Sequence, residues 1–503
     1  MRFAKILSVA TLPMFLFACS DSNSGNFGNN PGPENPPEQP KDTIPENIPD
    51  EDLKPITRDY SLVWQGQGTV ESPFLISSEQ DLSALAFYVN DSSMTFKGNY
   101  FKLTADIALT KAWSPIGIYG KNAYGLGNRV FSGSFDGASK TISGLTISDT
   151  AAYAGLFGLA RGASISNVVI KDAKMNVGSV AGVLAGLADS TTIENCVIDG
   201  AEIKGADRVG GLVGEAKYVT VTNISVTGSV SGTKNVGGAF GTVQDGSLTN
   251  LKNTATVSGK TIVGGVVGGS SGVSGESVIT SALNYGAVSS TGDALGNGDV
   301  GGVVATLSKS NLLKSGNYGE VTAGECNKGS AGGIVAVASN KSTVNEAFNM
   351  GKVSVTKVMA VGGALGSLKS STAANVFNQG EVAGTTAGKK MGGIVGIIDS
   401  DAKLESSYNA GLVPNENFSG AVAGDVQVLE ENAAKSIVNV FFDKTLCEGC
   451  LVYANHMLNT IPSGLATTEM KAATFVTTLN GSGAVWSIDP AKFGGYPSFS
   501  WAN

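Results

Sequence analysis

Short apolar runs broken by glycine recur through most of the chain. "VGGLVG" at residues 209–214 is followed 27 residues later by "VGGAFG" and after another 27 by "VGGVVG". Aligned on the second glycine of the pair, the copies fall at Gly155, Gly182, Gly211, Gly238, Gly265, Gly302, Gly333, Gly363, Gly393 and Gly420, with gaps of 27, 29, 27, 27, 37, 31, 30, 30 and 27. Two apolar residues follow each aligned glycine, and the next residue is Gly or Ala. An Asn recurs twelve or thirteen residues past the glycine, at Asn167, Asn195, Asn223, Asn250, Asn345 and Asn375, and a "GxV" stretch such as Gly319-Glu320-Val321 comes next. Each copy therefore holds about three short strands with turns between them. A near-constant period of this size marks a solenoid.

A helical solenoid of this period needs longer 3.6-periodic apolar runs and far less glycine. A leucine-rich repeat needs a leucine ladder, which is absent. The pattern predicts an all-β chain folded as a right-handed parallel β-helix, one copy per coil, like residues stacked on like at the inter-strand spacing of ~4.8 Å. Glycine is needed where the chain turns a corner with φ > 0, or where a neighbouring backbone leaves no room for a Cβ. Strict alternation cannot bury both apolar residues after it, so a bend or bulge is expected there. The Asn column predicts an amide ladder at a turn; the rival reading is that each Asn adopts a left-handed turn alone.

Both ends of such a rod need covering. Before the array, Ser78 can cap a helix with Asp81 three residues on, and Leu82, Leu85, Ala86 and Val89 form its apolar stripe. After it, "TTEMKAATFVTTLN" predicts a second helix. The expected organisation is 1–18 leader, 19–58 tether, 59–150 N-terminal cap and first coils, 151–442 repeats, and 443–503 C-terminal cap.

The leader combines Arg2 and Lys5 with an apolar run from Ile6 to Phe17, too short to span a bilayer. It ends in "LFAC", which resembles the lipobox of bacterial lipoproteins. That resemblance implies lipidation of Cys19 and anchoring to a bacterial envelope membrane, expected to be the outer membrane and cell surface. Two or more acyl chains, at about 0.8 kcal/mol per buried CH₂, make a stable anchor. The alternative is an ordinary secretory leader with a chance cysteine. The tether holds eight of the chain's 15 prolines. It has too little apolar surface to form a core and is biased to extended conformations of about 3.1 Å per residue, a reach of roughly 100 Å.

The formal net charge is −8 and no basic cluster is present, which argues against a nucleic-acid partner. Cys196 and Cys326 read as small apolar packers. Cys447 and Cys450, in "CEGC", read as a local disulfide or two idle thiols in an exported chain.

With these residues in view, the chain resembles the GLUG-motif family of bacterial surface proteins. The resemblance rests on "GGLVG" at 210–214, on "GTVESPFLISSEQDLSALA", "YFKLTADIAL" and "FSGSFDG" before the array, and on "GGYP" after it. It implies an exported β-helical domain associated with adhesion or with presenting other modules. The family includes IgA-cleaving metallopeptidases with a zinc catalytic domain. A His-Glu-x-x-His site needs two histidines, and His456 is the only one here.

The expectation is thus a monomeric, non-catalytic adhesion or binding module without cofactor, its partners the membrane and a polysaccharide or protein ligand. The alternatives are a polysaccharide-acting enzyme and a passive spacer. Glycoside hydrolysis needs two carboxylates facing one groove, whereas Asp106 and Asp136 read as turn residues. A weak calcium candidate is Asp293, Asn297 and Asp299 in the long copy, whose spacing matches no known loop. Aromatic residues flank "N-x-G" turns in the late copies. Phe348, Phe377 and Tyr408 precede Asn349, Asn378 and Asn409 and are expected in the core. Tyr285 and Tyr318 follow Asn284 and Asn317 and are expected to point outward. That second pair is the candidate ligand platform.

Overall fold

The computed structural model describes residues 63–120, 127–148, 152–293, 298–384, 390–399, 401–414, 419–428, 435–446, 452–453 and 463–502. Parallel strands stack coil upon coil into a β-helix. One inward column shows how continuous the stacking is. Phe74 pairs with Phe101, Phe101 with Phe135, then follow Ile165, Ile193, Val221 and Leu248. Every member is essentially inaccessible. Two further faces are ten-stranded parallel sheets, one carrying the glycine pairs and one starting just after them.

The expected bend lies at the second glycine. The strand Asp207–Gly210 ends before Gly211, and Val213–Lys217 begins after Leu212, so two residues turn the chain between faces. Leu212 and Val213 are both fully buried, one on each side of the turn. The structural register corrects the glycine alignment at three coils, those of Gly155, Gly182 and Gly420. Gly182 pairs with Gly210 and Gly420 with Gly392, which are first glycines of their pairs. Gly155 stands beside Gly182 in the same column, so Leu156, Val183 and Ala421 stand in the second-glycine column.

None of the aligned glycines needs φ > 0; what they need is room. A Cβ on Gly265 would run into the carbonyl oxygen of Gly302 in the next coil and the amide carbon of Asn284 beneath it. Gly238 stands in the same relation to Asn253, Gly302 to Asn317, Gly333 to Asn349, Gly363 to Asn378 and Gly393 to Asn409. These asparagines are buried inside the solenoid. Each donates its Nδ2 to the Oδ1 of the next: Asn253 to Asn284, Asn284 to Asn317, Asn317 to Asn349 and Asn349 to Asn378, all at 2.8 Å, then Asn378 to Asn409 at 2.9 Å. Where the same position holds Ile198 or Phe442, the glycine gives way to Val183 or Ala421.

The Asn column of the sequence pattern is a second, outer ladder. Asn195 donates to Asn167, Asn223 to Asn195 and Asn250 to Asn223, at 3.2, 2.9 and 2.7 Å. The rival readings hold together, because these residues also have φ between 54° and 59°. Asn345 is a correction: it lies one residue early. Glu346 takes the left-handed position (φ 53°), and Asn345 still accepts from Asn375 at 2.9 Å.

At the N-terminal end the helix Glu79–Asn90 buries Leu82, Leu85, Ala86 and Val89, and the Ser78 side chain accepts from the Asp81 amide, as the sequence predicts. Trp64 packs against Phe74 and Phe101, with ring centroids 5.5 and 5.4 Å away. At the other end the expected single helix is two, Thr467–Met470 and Ala473–Asn480, separated at Lys471 where the backbone leaves helical geometry. No helix among the described residues is long and apolar enough to cross a membrane.

Candidate functional site

The C-terminal segment lies against the flank of the coils rather than only across their end, and it defines the candidate site by what it leaves uncovered. On the long-strand face, one outward column runs Lys252, Leu283, Gly316, Phe348, Phe377, Tyr408 and Phe441. Phe348, Phe377 and Tyr408 are buried, but not in the coil interior as the sequence predicts. They alternate with the inward Ala347, Val376 and Ser407 and stack outside the solenoid, centroids 5.4 and 5.2 Å apart. They are covered by Phe475, Trp486, Phe493, Tyr496 and Phe499. Polar bonds pin this cover in place. Tyr408 donates its hydroxyl to the Pro497 carbonyl (2.6 Å), Trp486 its indole N–H to Asn375 Oδ1 (3.0 Å), and Trp501 its indole N–H to Glu346 Oε2 (2.9 Å).

Beyond this cover the aromatic surface continues into solvent. Tyr285 and Tyr318, 43% and 37% exposed, stack with centroids 4.8 Å apart and planes 5° from parallel. Their backbone N–H groups donate to Asn253 O and Asn284 O, both at 2.8 Å, so the coil ladder itself sets the ring spacing. Tyr318 also meets Phe348 at 5.2 Å in a T-shaped contact, which joins the exposed pair to the covered stack. Lys252 Nζ stands 5.5 Å above the Tyr285 ring, within reach of a cation–π attraction. Burial, then the neighbouring Tyr285, push the Tyr318 hydroxyl up to about 12, so it is a protonated donor at neutral pH.

Pointing outward was legible in the sequence; Lys252, Leu283 and Gly316 were not singled out. The signal for them is the register, which needs the exact coil lengths, and the long copy hides these. Stacking also spends the facing sides of the two rings on each other, so the ligand surface is their remaining faces and edges plus the ammonium.

Cys19, Asn297, Cys447, Cys450 and His456 lie outside the described residues. Cys196 and Cys326 are core packers, and burial pushes the Cys196 thiol up to about 12. Asp106 accepts the Thr141 N–H (2.8 Å), and Asp136 accepts the Ala138 N–H (2.9 Å) and heads the outer ladder by accepting from Asn167 (2.9 Å). Both are turn residues. Asp293 pairs with Lys260 at 3.1 Å, while Asp299 accepts the Ser330 N–H at 2.9 Å. No group of three or more His, Cys, Asp or Glu among the described residues is placed to hold a metal ion.

Burial raises the Asp299 carboxyl from 3.8 to about 6. The folded state thus holds its proton over pH 4–6, where the unfolded chain has lost it. Stability from this group is fully present below about pH 4 and is lost as pH rises through 6. Asp299→Asn keeps the acceptor for Ser330 without the charge. It is expected to raise the melting temperature at pH 7.5 and leave it unchanged at pH 4; an unchanged value at both would show that Asp299 titrates normally.

A hollow of about 680 Å³ is lined by Trp113, Pro115, Ile118, Tyr119, Ile147 and Tyr153 among others. Its nearest buried carboxylate chemistry is occupied. Glu215 accepts from the Tyr153 hydroxyl at 3.4 Å and pairs with Arg208 (3.3 Å) and Lys217 (2.8 Å).

No family model matches the chain. A stretch of 130 residues is 35% identical to halomucin of Haloquadratum walsbyi, covering 24% of this chain and 1% of halomucin. A stretch of 174 residues is 26% identical to the immunoglobulin A1 protease of Streptococcus pneumoniae, covering 32% of this chain and 9% of that protein. The chain thus spans only a small part of the length of these relatives. Among solved structures, a candidate immunoglobulin A1 protease from Bacteroides ovatus aligns over 87% of this chain and 95% of its own, with 16% identity and a TM-score of 0.36.

Proposed function

We propose that the protein is a lipid-anchored, cell-surface β-helical module that binds a polysaccharide or protein ligand without transforming it. The observation that carries this reading is the exposed, stacked Tyr285–Tyr318 pair. The neighbouring outward stack of Phe348, Phe377 and Tyr408 is covered by the chain's own C-terminal segment, and this pair is not. Rigid aromatic rings supply contact area with little conformational entropy to lose. The acidic side chains described above are engaged in turns and ion pairs, which supports binding over hydrolysis. Similarity to segments of halomucin and immunoglobulin A1 proteases is consistent with an exported setting.

The test is an array of glycans and host or envelope proteins probed with the full-length protein, with released reducing ends and peptide fragments assayed in parallel. Retention of a ligand without product supports the reading, and product release replaces it with an enzymatic one. Anchoring is tested separately. Cys19→Ser is expected to abolish palmitate labelling and to move the protein from the membrane pellet to the soluble fraction; a mutant that still labels and still pellets removes the anchor from the proposal.

A further inference from the structure

The Tyr285–Tyr318 strip carries information about the class of ligand. Its backbone is closed to an incoming peptide strand: the Tyr285 and Tyr318 N–H groups are already given to the preceding coils, as is that of Met350 to Asn317 O at 2.8 Å. β-Augmentation requires unpaired edge groups, so recognition here must run through side chains. The side chains on offer are two rings locked by stacking, a protonated Tyr318 hydroxyl, and cations. Lys252 sits over Tyr285. Lys314, on the same coil as Tyr318 and four residues before it, is exposed and held at φ 49° in the left-handed column. Lys252 makes no ion pair with any carboxylate among the described residues. On the next coil Glu346, which lies opposite Lys314 in the register, accepts the Trp501 indole N–H, and Glu320, two residues after Tyr318, is exposed. Lys252 thus sets an ammonium without a carboxylate partner among the described residues directly beside the aromatic pair, in a chain of net charge −8.

We infer that this strip binds an acidic polysaccharide, the sugar rings resting on the exposed parts of Tyr285 and Tyr318 and a carboxylate meeting the Lys252 ammonium. Pyranose rings present axial C–H groups to aromatic faces and hydroxyls to the tyrosine O–H. A carboxylate on the same unit adds a charge-assisted hydrogen bond. The inference rests on the binding-module reading and narrows it.

The experiment compares uronans with their neutral forms on one backbone. Polygalacturonate, alginate and hyaluronan, each alongside its methyl-esterified counterpart, are titrated into the full-length protein in detergent at low salt. At least one uronan is expected to bind about tenfold or more tightly than its ester. Lys252→Gln is expected to erase that preference while keeping the ester affinity. Tyr285→Ala combined with Tyr318→Ala is expected to abolish both, with an unchanged melting temperature. Equal affinity for acid and ester, an acid preference that survives Lys252→Gln, or no binding to any of the uronans overturns the inference. Capture of a neutral glycan or a protein by the same strip would overturn it too, yet leave the broader binding reading standing; only the absence of any ligand on the arrays would remove both.

Discussion

Gly302→Ala is expected to destabilise the protein by about 3 kcal/mol, the cost of a single methyl group. The new Cβ would overlap the Gly333 carbonyl oxygen of the next coil and the carboxamide of Asn317 below. Neither is the far end of a flexible side chain, so relief requires coils to separate. Because each coil's neighbours carry its stability, the damage should spread to the adjacent coils. Amide exchange across residues 263–349 is the suitable readout, with the largest loss of protection near the mutation. Gly269→Ala is the internal control: its nearest neighbour would be Thr306 Oγ1 at 3.2 Å, on a partly exposed face. It is expected to stay within about 0.5 kcal/mol of wild type. Equal effects at the two glycines would contradict the close-approach account.

Asn317→Val is expected to cost more than Asn253→Val, although both delete one interior amide. Asn317 sits mid-ladder. It accepts from Asn284, donates to Asn349, and closes a local ring by donating to Gly319 O (2.8 Å) and accepting from Gly319 N (3.2 Å). Its loss strands buried groups on three residues, at about 1–3 kcal/mol for each group left unsatisfied, so about 4 kcal/mol in all. Asn253 begins the ladder, and the coil before it already carries Val226 at that position. Its removal should cost about 2 kcal/mol. Denaturant unfolding of the two variants reads the difference, and equal costs would mean that the ladder is not a connected chain.

The period, the stacking and the N-terminal helix were legible in the sequence because each is written in local residues: glycine spacing, apolar pairs, Ser78 with Asp81. The interior ladder was not. Its asparagines sit 15 or 16 residues after the glycines in most coils but 19 after Gly265, as in 284 − 265. The outer column is regular only where coil length is constant. Its later positions interleave Asn375 and Asn439 with Ser281, Lys314, Glu346 and Ser406, which share φ > 0 and no side-chain type. The location of the Phe348–Phe377–Tyr408 stack was misread for a similar reason. Alternation from the buried Asn378 places Phe377 outside, but nothing local says that a segment a hundred residues later will return to cover it. Tyr285 and Tyr318 share that outward direction in the neighbouring column. They differ from the Phe stack only in what lies over them.

That difference carries the proposed function, in which the uncovered Tyr285–Tyr318 pair is the ligand surface. The most direct test is retention, by the full-length protein, of its array-identified ligand, compared between wild type and Tyr285→Ala/Tyr318→Ala. Both side chains are exposed and each backbone stays in the ladder, so the double variant is expected to melt within about 2 °C of wild type, as for a surface change. The account predicts that it loses the ligand. Full retention at an unchanged melting temperature would contradict it.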